Sequence, residues 1–466
     1  EREKIGRELV RRCHGLPLAA ALLGGVLMNT DNLERWKDLL RGHSDRDRDV
    51  RSVMMHSYND LPWELKRCFS LFAMFPEDYH FTEKEIVMIW VAEGMAKWEE
   101  MNDFYEHRYY AEFKRRSLLA KYFTFDGMHD MVRDMACEIA GKSCSTLNSL
   151  EVTKLATVFD CNETRCLYVE GDECLRALCN HVRSPAVLRT IIITSASPNH
   201  LYLNDLFLKF AYLRTLLIKE CPSISELPES IGKLAHLRYL HIHDLGIKHL
   251  PKSVVLLHNL EMLVLSCCDE VLELPSLLGK LKNLKLLHID GGCENIVKLP
   301  DSIGDLSNLE NLLLDCDNLQ EIPLSVIKLN NLKHLELFGC NRFVDIPDSI
   351  CQLPNLEILC ILHCLNIENL SSIGCLKNLK RLELLRCPKI VSLPECIGLL
   401  YNLELLTIIY FDNLERLPSS IGGMENLRRL VVSKCPKITR LPENINLLSN
   451  LKIEFDISEN VVGDKS

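Results

Sequence analysis

Apolar residues in the C-terminal half of the chain return with a long period. A leucine recurs at Leu213, Leu237, Leu260, Leu284, Leu309, Leu332, Leu356, Leu379, Leu403, Leu427 and Leu451, at intervals of 23 to 25 residues. Each opens a run Leu-x-x-Leu-x-(Leu/Ile/Val), as at Leu332, Leu335 and Leu337. Alternation with period two predicts a short strand, with the marker and the third and fifth positions after it on the core side. Positions two, four and six after the marker then face the other way. A Leu-Pro step follows, as at Leu299-Pro300, Leu393-Pro394 and Leu417-Pro418. Proline fixes φ and removes a donor, so it ends sheet pairing. The next segment, such as Asp301 to Leu306, turns Ile and Leu inward and offers a serine to a free amide, which predicts a short helical turn. The pattern breaks at Leu370-Ser371, which lacks the proline, and at Leu245, where several other units carry cysteine.

This period and pattern define a leucine-rich-repeat solenoid, an α/β fold of stacked strand-and-turn units. Parallel strands roughly 4.8 Å apart make an arc about 50 Å long from eleven markers. A weaker unit at Leu188 and a strand over Arg165 to Val169 extend the array to about 12 repeats over residues 165–466. These irregular units, and the strand-like then polar tail after Leu451, are expected to cap its ends. The concave face carries Tyr239, His241, His243, His288 and His334, then a more apolar stretch of Phe338, Ile358, Leu362, Leu385, Leu405, Ile409 and Tyr410. An exposed apolar stripe of this kind marks a protein interface; packing against neighbours on adjacent strands is the alternative, and both stay open. The histidines carry no ligand spacing, so no metal site is expected.

The first 145 residues hold no such repeat. Ile5, Leu9, Val10 and Cys13 share a helical face that ends at His14-Gly15, and Pro17 starts a second helix. Leu18 to Met28 is apolar nearly all round and reads as buried; Leu33, Trp36 and Leu40 make a third helix; charged Arg41 to Arg51 reads as a linker. A helix over Leu65 to Phe75 stops at Pro76. Thr82-Glu83-Lys84-Glu85 is a capping box leading into Ile86, Ile89 and Trp90, with a stop near Gly94. A helix with Tyr109, Tyr110 and Phe113, a short strand over Tyr122 to Phe125, and a helix with Met128, Met131, Val132, Met135, Ala136 and Ile139 complete a winged-helix order. The segment from Ser117 to Met128 looks short for a two-stranded wing.

Four motifs carry a resemblance. Gly15-Leu16-Pro17-Leu18-Ala19 resembles the GLPLA motif of the NB-ARC nucleotide-switch module. Arg67 to Asp78 (RCFSLFAMFPED) and Ile89 to Gly94 (IWVAEG) resemble motifs of the coiled-coil class of plant NLR disease-resistance proteins, and Met128-His129-Asp130 matches their MHD motif. The order is the family's, with repeats following. The resemblance implies residues 1–42 as the end of NB-ARC (an ARC1 remnant), 43–145 as a winged-helix (ARC2) domain, 146–164 as linker and 165–466 as the solenoid. It implies that Pro17 packs on the adenine of bound ADP and that His129 contacts its β-phosphate, holding a closed state. The start of a helix favours an anion, which makes the second role physically sound. Pro17 as a plain helix starter and His129 as a solvated first-turn residue are the alternatives.

Composition narrows the rest. A net charge of −10 speaks against a sequence-independent grip on nucleic acid. The longest apolar stretch, Leu16 to Met28, is too short to span a bilayer. Cysteines number 21, none at C-x₂-C spacing, and six stand eight residues after a marker: Cys221, Cys268, Cys340, Cys364, Cys387 and Cys435. Such phasing reads as buried reduced thiols in the cytoplasm; for a full-length parent the plasma-membrane periphery and the nucleus stay open. No G-x-x-x-x-G-K-[ST] occurs, nor the strand with the acidic metal-binding residue, and the chain opens just before GLPLA, as a truncated receptor would. The expectation is a non-enzyme: ADP or ATP belongs to a full-length parent, and tight binding by this chain alone is not expected. The implied function is an intracellular plant immune receptor. Its solenoid recognises a pathogen effector or a modified host protein and controls an ADP/ATP switch, through intramolecular contacts with the missing nucleotide-binding and coiled-coil domains. The alternative is a stand-alone repeat scaffold that binds signalling proteins without nucleotide.

Overall fold

The structure, a computed structural model, describes residues 1–12, 17–28, 33–34, 36–37, 50–101, 107–122, 125–149, 152–154, 159–182, 187–196 and 200–456. The expected third helix is only partly inside these bounds, and the linker over Arg41 to Arg51 and the polar end of the tail lie almost wholly outside them. The chain divides into two compact units, Glu1–Thr194 with Tyr212–Leu216, and Ser195–Ala211 with Leu217–Ser466.

The first unit is built on an aromatic core. Trp90 is fully buried in the helix Glu83–Ala92 and donates its indole N–H to the Cys68 carbonyl at 3.2 Å. Phe72 meets Trp90 and Phe113 edge-on, at 5.8 and 5.9 Å between centroids. Such pairs add roughly 0.5–1.5 kcal/mol each beyond area burial. The capping box forms in part as read: the Thr82 hydroxyl accepts from the Glu85 N–H, and Gly94, at φ +70°, follows the helix's last turn. The helix expected up to Phe75 is Trp63–Leu71, tightening into the 3₁₀ turn Phe72–Met74. That turn is held from outside, where Arg133 donates to the Phe75 carbonyl at 2.8 Å and the Thr146 hydroxyl to the Met74 carbonyl at 2.9 Å.

Two local expectations need correction. The segment after Ser117 does make a two-stranded wing: Ala120–Tyr122 (β1) and Phe125–Gly127 (β2) pair antiparallel, Ala120 opposite Gly127. The single strand expected over Tyr122 to Phe125 takes in the end of β1 and the start of β2, and residues 123 and 124 lie outside the described residues. A hairpin needs few residues when its strands are only three long. The helix Pro17–Met28 is buried along one side only: Leu22, Leu23 and Gly25 are inside, while Ala21 and Met28 are exposed. Gly25 sits where a Cβ would come 2.7 Å from the Arg116 backbone, so glycine sets the close approach.

The helix Asp130–Ala140 leads directly into a parallel ladder. Cys144–Leu147 (β3), Cys166–Glu170 (β4) and Thr190–Thr194 (β5) pair in chain order. Ladder pairing therefore begins before residue 165, where sequence periodicity placed the first repeat. The next strand, Thr215–Cys221 (β6), has residues in both units.

In the second unit the strands are Tyr239–Leu245 (β7), Met262–Ser266 (β8), Leu286–Asp290 (β9), Asn311–Asp315 (β10), His334–Phe338 (β11), Ile358–Leu362 (β12), Arg381–Leu385 (β13), Leu405–Ile409 (β14), Arg429–Ser433 (β15) and Lys452–Asp456 (β16). They pair in parallel and in chain order. Register follows the markers up to β15, with His334 opposite Ile358 and Ile358 opposite Arg381. At the end it slips by one: Arg429 pairs with Lys452, so Leu451 is not the equivalent of Leu427. This strand, the last of the ladder among the described residues, is largely exposed and carries Lys452, Glu454 and Asp456. The Leu-Pro steps lead into 3₁₀ turns such as Asp301–Asp305, with Ile303 and Leu306 buried. The serine of that turn does not cap its own turn; Ser302 accepts from the Gly279 N–H of the preceding repeat.

Two ladders tie repeat to repeat. From Leu260 to Leu427 the asparagine before the marker donates its amide to a carbonyl of the preceding repeat, as Asn331 to Ser307 at 2.7 Å and Asn378 to Pro354 at 2.8 Å. The phased cysteines are buried, and most reach the preceding strand, as Cys364 to the Leu337 carbonyl at 3.6 Å and Cys387 to Ile361 at 3.8 Å. All cysteines among the described residues are free thiols. Burial pushes the Cys268 thiol up to about 11 and the Cys387 thiol up to about 12.

Candidate functional site

The open face of the β7–β16 sheet changes character along the chain. At β7 and β8 it is closed. Tyr239 is fully buried, and its hydroxyl meets His241 Nδ1 at 3.2 Å, while His241 Nε2 meets the Ser266 hydroxyl at 3.2 Å. Burial, aided by Lys219, His243 and His288, pushes the His241 imidazole well below the usual histidine range. His243 and His288 are half-buried, and His288 Nε2 stands 3.2 Å from the Asp290 carboxylate. His334 is buried. Tyr239, His241 and His334 therefore do not present the contact surface that alternation placed there. Neighbouring strands lie close enough for their side chains to cover one another.

From β11 onward the face opens. Phe338, Ile358, Leu362, Leu385, Leu405 and Ile409 are all half-buried. Tyr410 belongs to a different row. It follows β14 at φ +61° and is 52% exposed. The same left-handed conformation recurs seven residues after other markers, at Glu220, Asp244, Cys267, His363, Arg386 and Lys434. The amides there extend the ladder, as Arg386 N–H to Ile409 O at 2.9 Å and Tyr410 N–H to Ser433 O at 3.1 Å. This file was missed from sequence; its signal was available, since each member immediately precedes the cysteine phase. It is acidic at Glu220 and Asp244 and basic at Arg386 and Lys434. Near Asp290, Asp315 and Asp317 burial raises the Asp315 carboxyl above its usual range, with the two neighbouring aspartates adding to the effect. Phe338 stacks on His363 of this file at 4.8 Å.

The strand register also gathers ligating groups. His334, Glu336 and Cys360 each offer an atom within 4.8 Å of the others. Linear spacing had given the histidines no such company.

In the first unit Pro17 opens its helix and is exposed. Its GLPLA neighbours Gly15 and Leu16 lie outside the described residues. His129 is exposed at the N-cap of Asp130–Ala140, and its Nδ1 accepts from the Met131 N–H at 3.3 Å. The helices of Pro17 and of His129 both pack on Val50–Asn59. Glu93, of the IWVAEG motif, is buried; its carboxylate accepts from the Thr190 hydroxyl at 2.7 Å and its carbonyl from Arg214 at 3.4 Å. Within this unit the end of the tryptophan helix is thus bonded to β5 and to the residue before β6.

Residues 74–136 match the family described as disease resistance protein winged helix domain, and residues 187–296 match the leucine-rich repeat region. The chain is similar to plant disease-resistance proteins. It is 31% identical over 297 residues to disease resistance RPP8-like protein 3 of Arabidopsis thaliana, covering 57% of this chain and 31% of that protein. It is 28% identical over 285 residues to disease resistance protein RPP8 of the same plant, with 57% and 31% covered. The chain thus spans about a third of the length of these relatives. Among solved structures, an internalin from Listeria monocytogenes aligns at 16% identity and a TM-score of 0.39, covering 66% of this chain and 76% of that one. The matched winged-helix region holds Trp90, Glu93 and His129, and no described helix is long and apolar enough to cross a membrane.

Proposed function

We propose that this chain is the sensing part of an intracellular plant immune receptor. Its sheet face from β11 to β15 docks a pathogen effector or a host protein that an effector has modified. The observation that carries this reading is the half-exposed apolar run of Phe338, Ile358, Leu362, Leu385, Leu405 and Ile409, bordered by exposed Arg386, Tyr410 and Lys434. The apolar residues flank a central row that carries Glu336 and Glu383, and a mixed apolar and charged surface of this kind suits a protein partner. The basic border at Arg386 and Lys434 favours a partner surface with acidic groups facing it.

Docking matters to a switch only if the partner binds one state better than another. The winged-helix domain supplies the second state. In a receptor with a complete nucleotide site, Pro17 would pack on the adenine and His129 would face the β-phosphate of ADP, and partner binding would favour release of that closed state. The sequence of this chain contains no phosphate loop, so ADP held by this chain alone is expected to be weak. A calorimetric titration giving micromolar ADP affinity would overturn that part.

The test of the docking surface is proximity labelling in plant cells with the wild-type chain and with Phe338→Glu plus Leu362→Glu. The reading expects a set of labelled proteins that is lost in the double variant while circular dichroism is unchanged. An identical set in both would overturn it.

A further inference from the structure

The cluster of His334, Glu336 and Cys360 is set by the fold rather than by a sequence motif. His334 and Glu336 are two apart on β11 and so project from the same face. Cys360 stands on β12 directly opposite Glu336. It is therefore diagonal to His334, and its Sγ lies 3.7 Å from His334 Nε2. One atom from each residue falls inside a 4.8 Å radius of the others. His334 and Cys360 are buried, and Glu336 is half-buried toward the open face.

We propose that this cluster is a zinc site with three protein ligands. Zinc takes thiolate at about 2.3 Å and imidazole at about 2.0–2.1 Å in tetrahedral array, so sulfur and nitrogen on one ion stand about 3.6 Å apart. The observed 3.7 Å separation already matches that edge. The donors are one nitrogen, one sulfur and one oxygen, a set that suits a borderline-soft ion and disfavours calcium or magnesium. Charge also balances: binding releases the Cys360 proton to solvent, and the thiolate and the Glu336 carboxylate together neutralise Zn²⁺. Three protein ligands leave a fourth tetrahedral position for water or for a donor from a docked protein. The site lies among the face residues Phe338, Ile358 and Leu362, so a bound ion would stiffen β11 and β12 where a partner would land.

The test uses the full chain, stripped with a chelator, dialysed, and titrated with Zn²⁺ and then with Co²⁺ as a spectroscopic probe. The expected result is one equivalent of zinc that survives dialysis, a sulfur-to-cobalt charge-transfer band, and the visible bands of a tetrahedral ion. Cys360→Ser and His334→Gln should each remove the charge-transfer band or weaken zinc affinity by about 100-fold or more, beyond what outer-shell changes cost. Cys267→Ser, whose thiol is exposed elsewhere, should leave both unchanged. A wild-type measurement guards against misfolded variants: Zn²⁺ should slow alkylation of Cys360, read by mass spectrometry, without slowing that of Cys267. Less than half an equivalent of retained zinc, an undiminished cobalt spectrum in Cys360→Ser, or unprotected Cys360 would each overturn the proposal.

Discussion

Lys333 places its ammonium 2.8 Å from the carboxylate of Glu310, one repeat earlier and at the same phase. The position after each marker alternates in sign from Arg238 through Glu261, Lys285, Glu310, Lys333, Glu357, Lys380 and Glu404 to Arg428. Lys285 pairs with Glu261 at 3.0 Å and Lys380 with Glu357 at 2.9 Å. A one-repeat misalignment would set like charges side by side, so the row favours correct stacking. Lys333→Glu should therefore cost more than the loss of one half-exposed pair, which is worth about 0.2–1 kcal/mol. The expected loss is about 1 kcal/mol at low salt, shrinking as ionic strength rises. Glu310→Lys combined with Lys333→Glu should recover part of it. Urea denaturation at two salt concentrations checks both statements.

Close backbone approach sets a second dependence. At Gly304 an added Cβ would lie 2.1 Å from the Ser325 carbonyl oxygen, and at Gly374 2.3 Å from that of Cys396. Neither has positive φ, so the constraint is space and not conformation. Gly304→Ala should destabilise by roughly 1–3 kcal/mol, the usual cost of overpacking. Gly423→Ala, with nothing within 4 Å, should be neutral within about 0.5 kcal/mol. Equal effects at the two sites would contradict the contact geometry.

Thiol reactivity should split neighbours. Cys267 is exposed and Cys268 is buried. Cys267 is nonetheless held above its usual range, first by partial burial and then by Asp290, Asp269, Asp244 and Asp315. Iodoacetamide should label Cys267 and Cys375 in the native chain and spare Cys268, Cys340 and Cys387. Labelling of Cys267 should keep accelerating as pH rises above 9. Native labelling of Cys387 at the rate of Cys375 would show that the thiol ladder is open.

The repeat, its strands and its turns were legible because leucine phase and the Leu-Pro step impose local geometry one unit at a time. Accessibility was not. Tyr239 and Phe338 occupy facing phases of their repeats, yet one is closed off beside His241 while the other stacks half-exposed on His363. That difference depends on side-chain size on the adjacent strands. The His334–Cys360 approach is diagonal across the register, which marker counting aligns but does not single out. The left-handed file was legible only through the cysteine phase beside it: Arg386, Tyr410 and Lys434 are not residues that announce positive φ.

The buried His241 gives a pH dependence with a definite sign. Its folded pKa lies well below the usual 6.5. Between that depressed value and 6.5 the unfolded chain binds a proton that the folded chain does not. Stability therefore falls as pH drops below about 6.5, by at most about 1.4 kcal/mol per pH unit for one such group. His241→Asn should flatten the midpoint-against-pH curve between pH 6.5 and 5. An unchanged slope in His241→Asn would show that burial does not hold the imidazole neutral.

His129 has two roles that one substitution cannot separate. Its Nδ1 caps the helix Asp130–Ala140, and in the proposed receptor it faces the phosphate of ADP. Asparagine is a strong N-cap, whereas alanine leaves the Met131 N–H without its acceptor and costs about 1 kcal/mol. His129→Asn should therefore keep the thermal midpoint of this chain near wild type, and His129→Ala should lower it. In a full-length receptor carrying a phosphate loop, both should weaken the closed state and raise cell death in leaf transient expression above wild type. Cell death raised by alanine alone would assign His129 to the helix end and remove it from the nucleotide site.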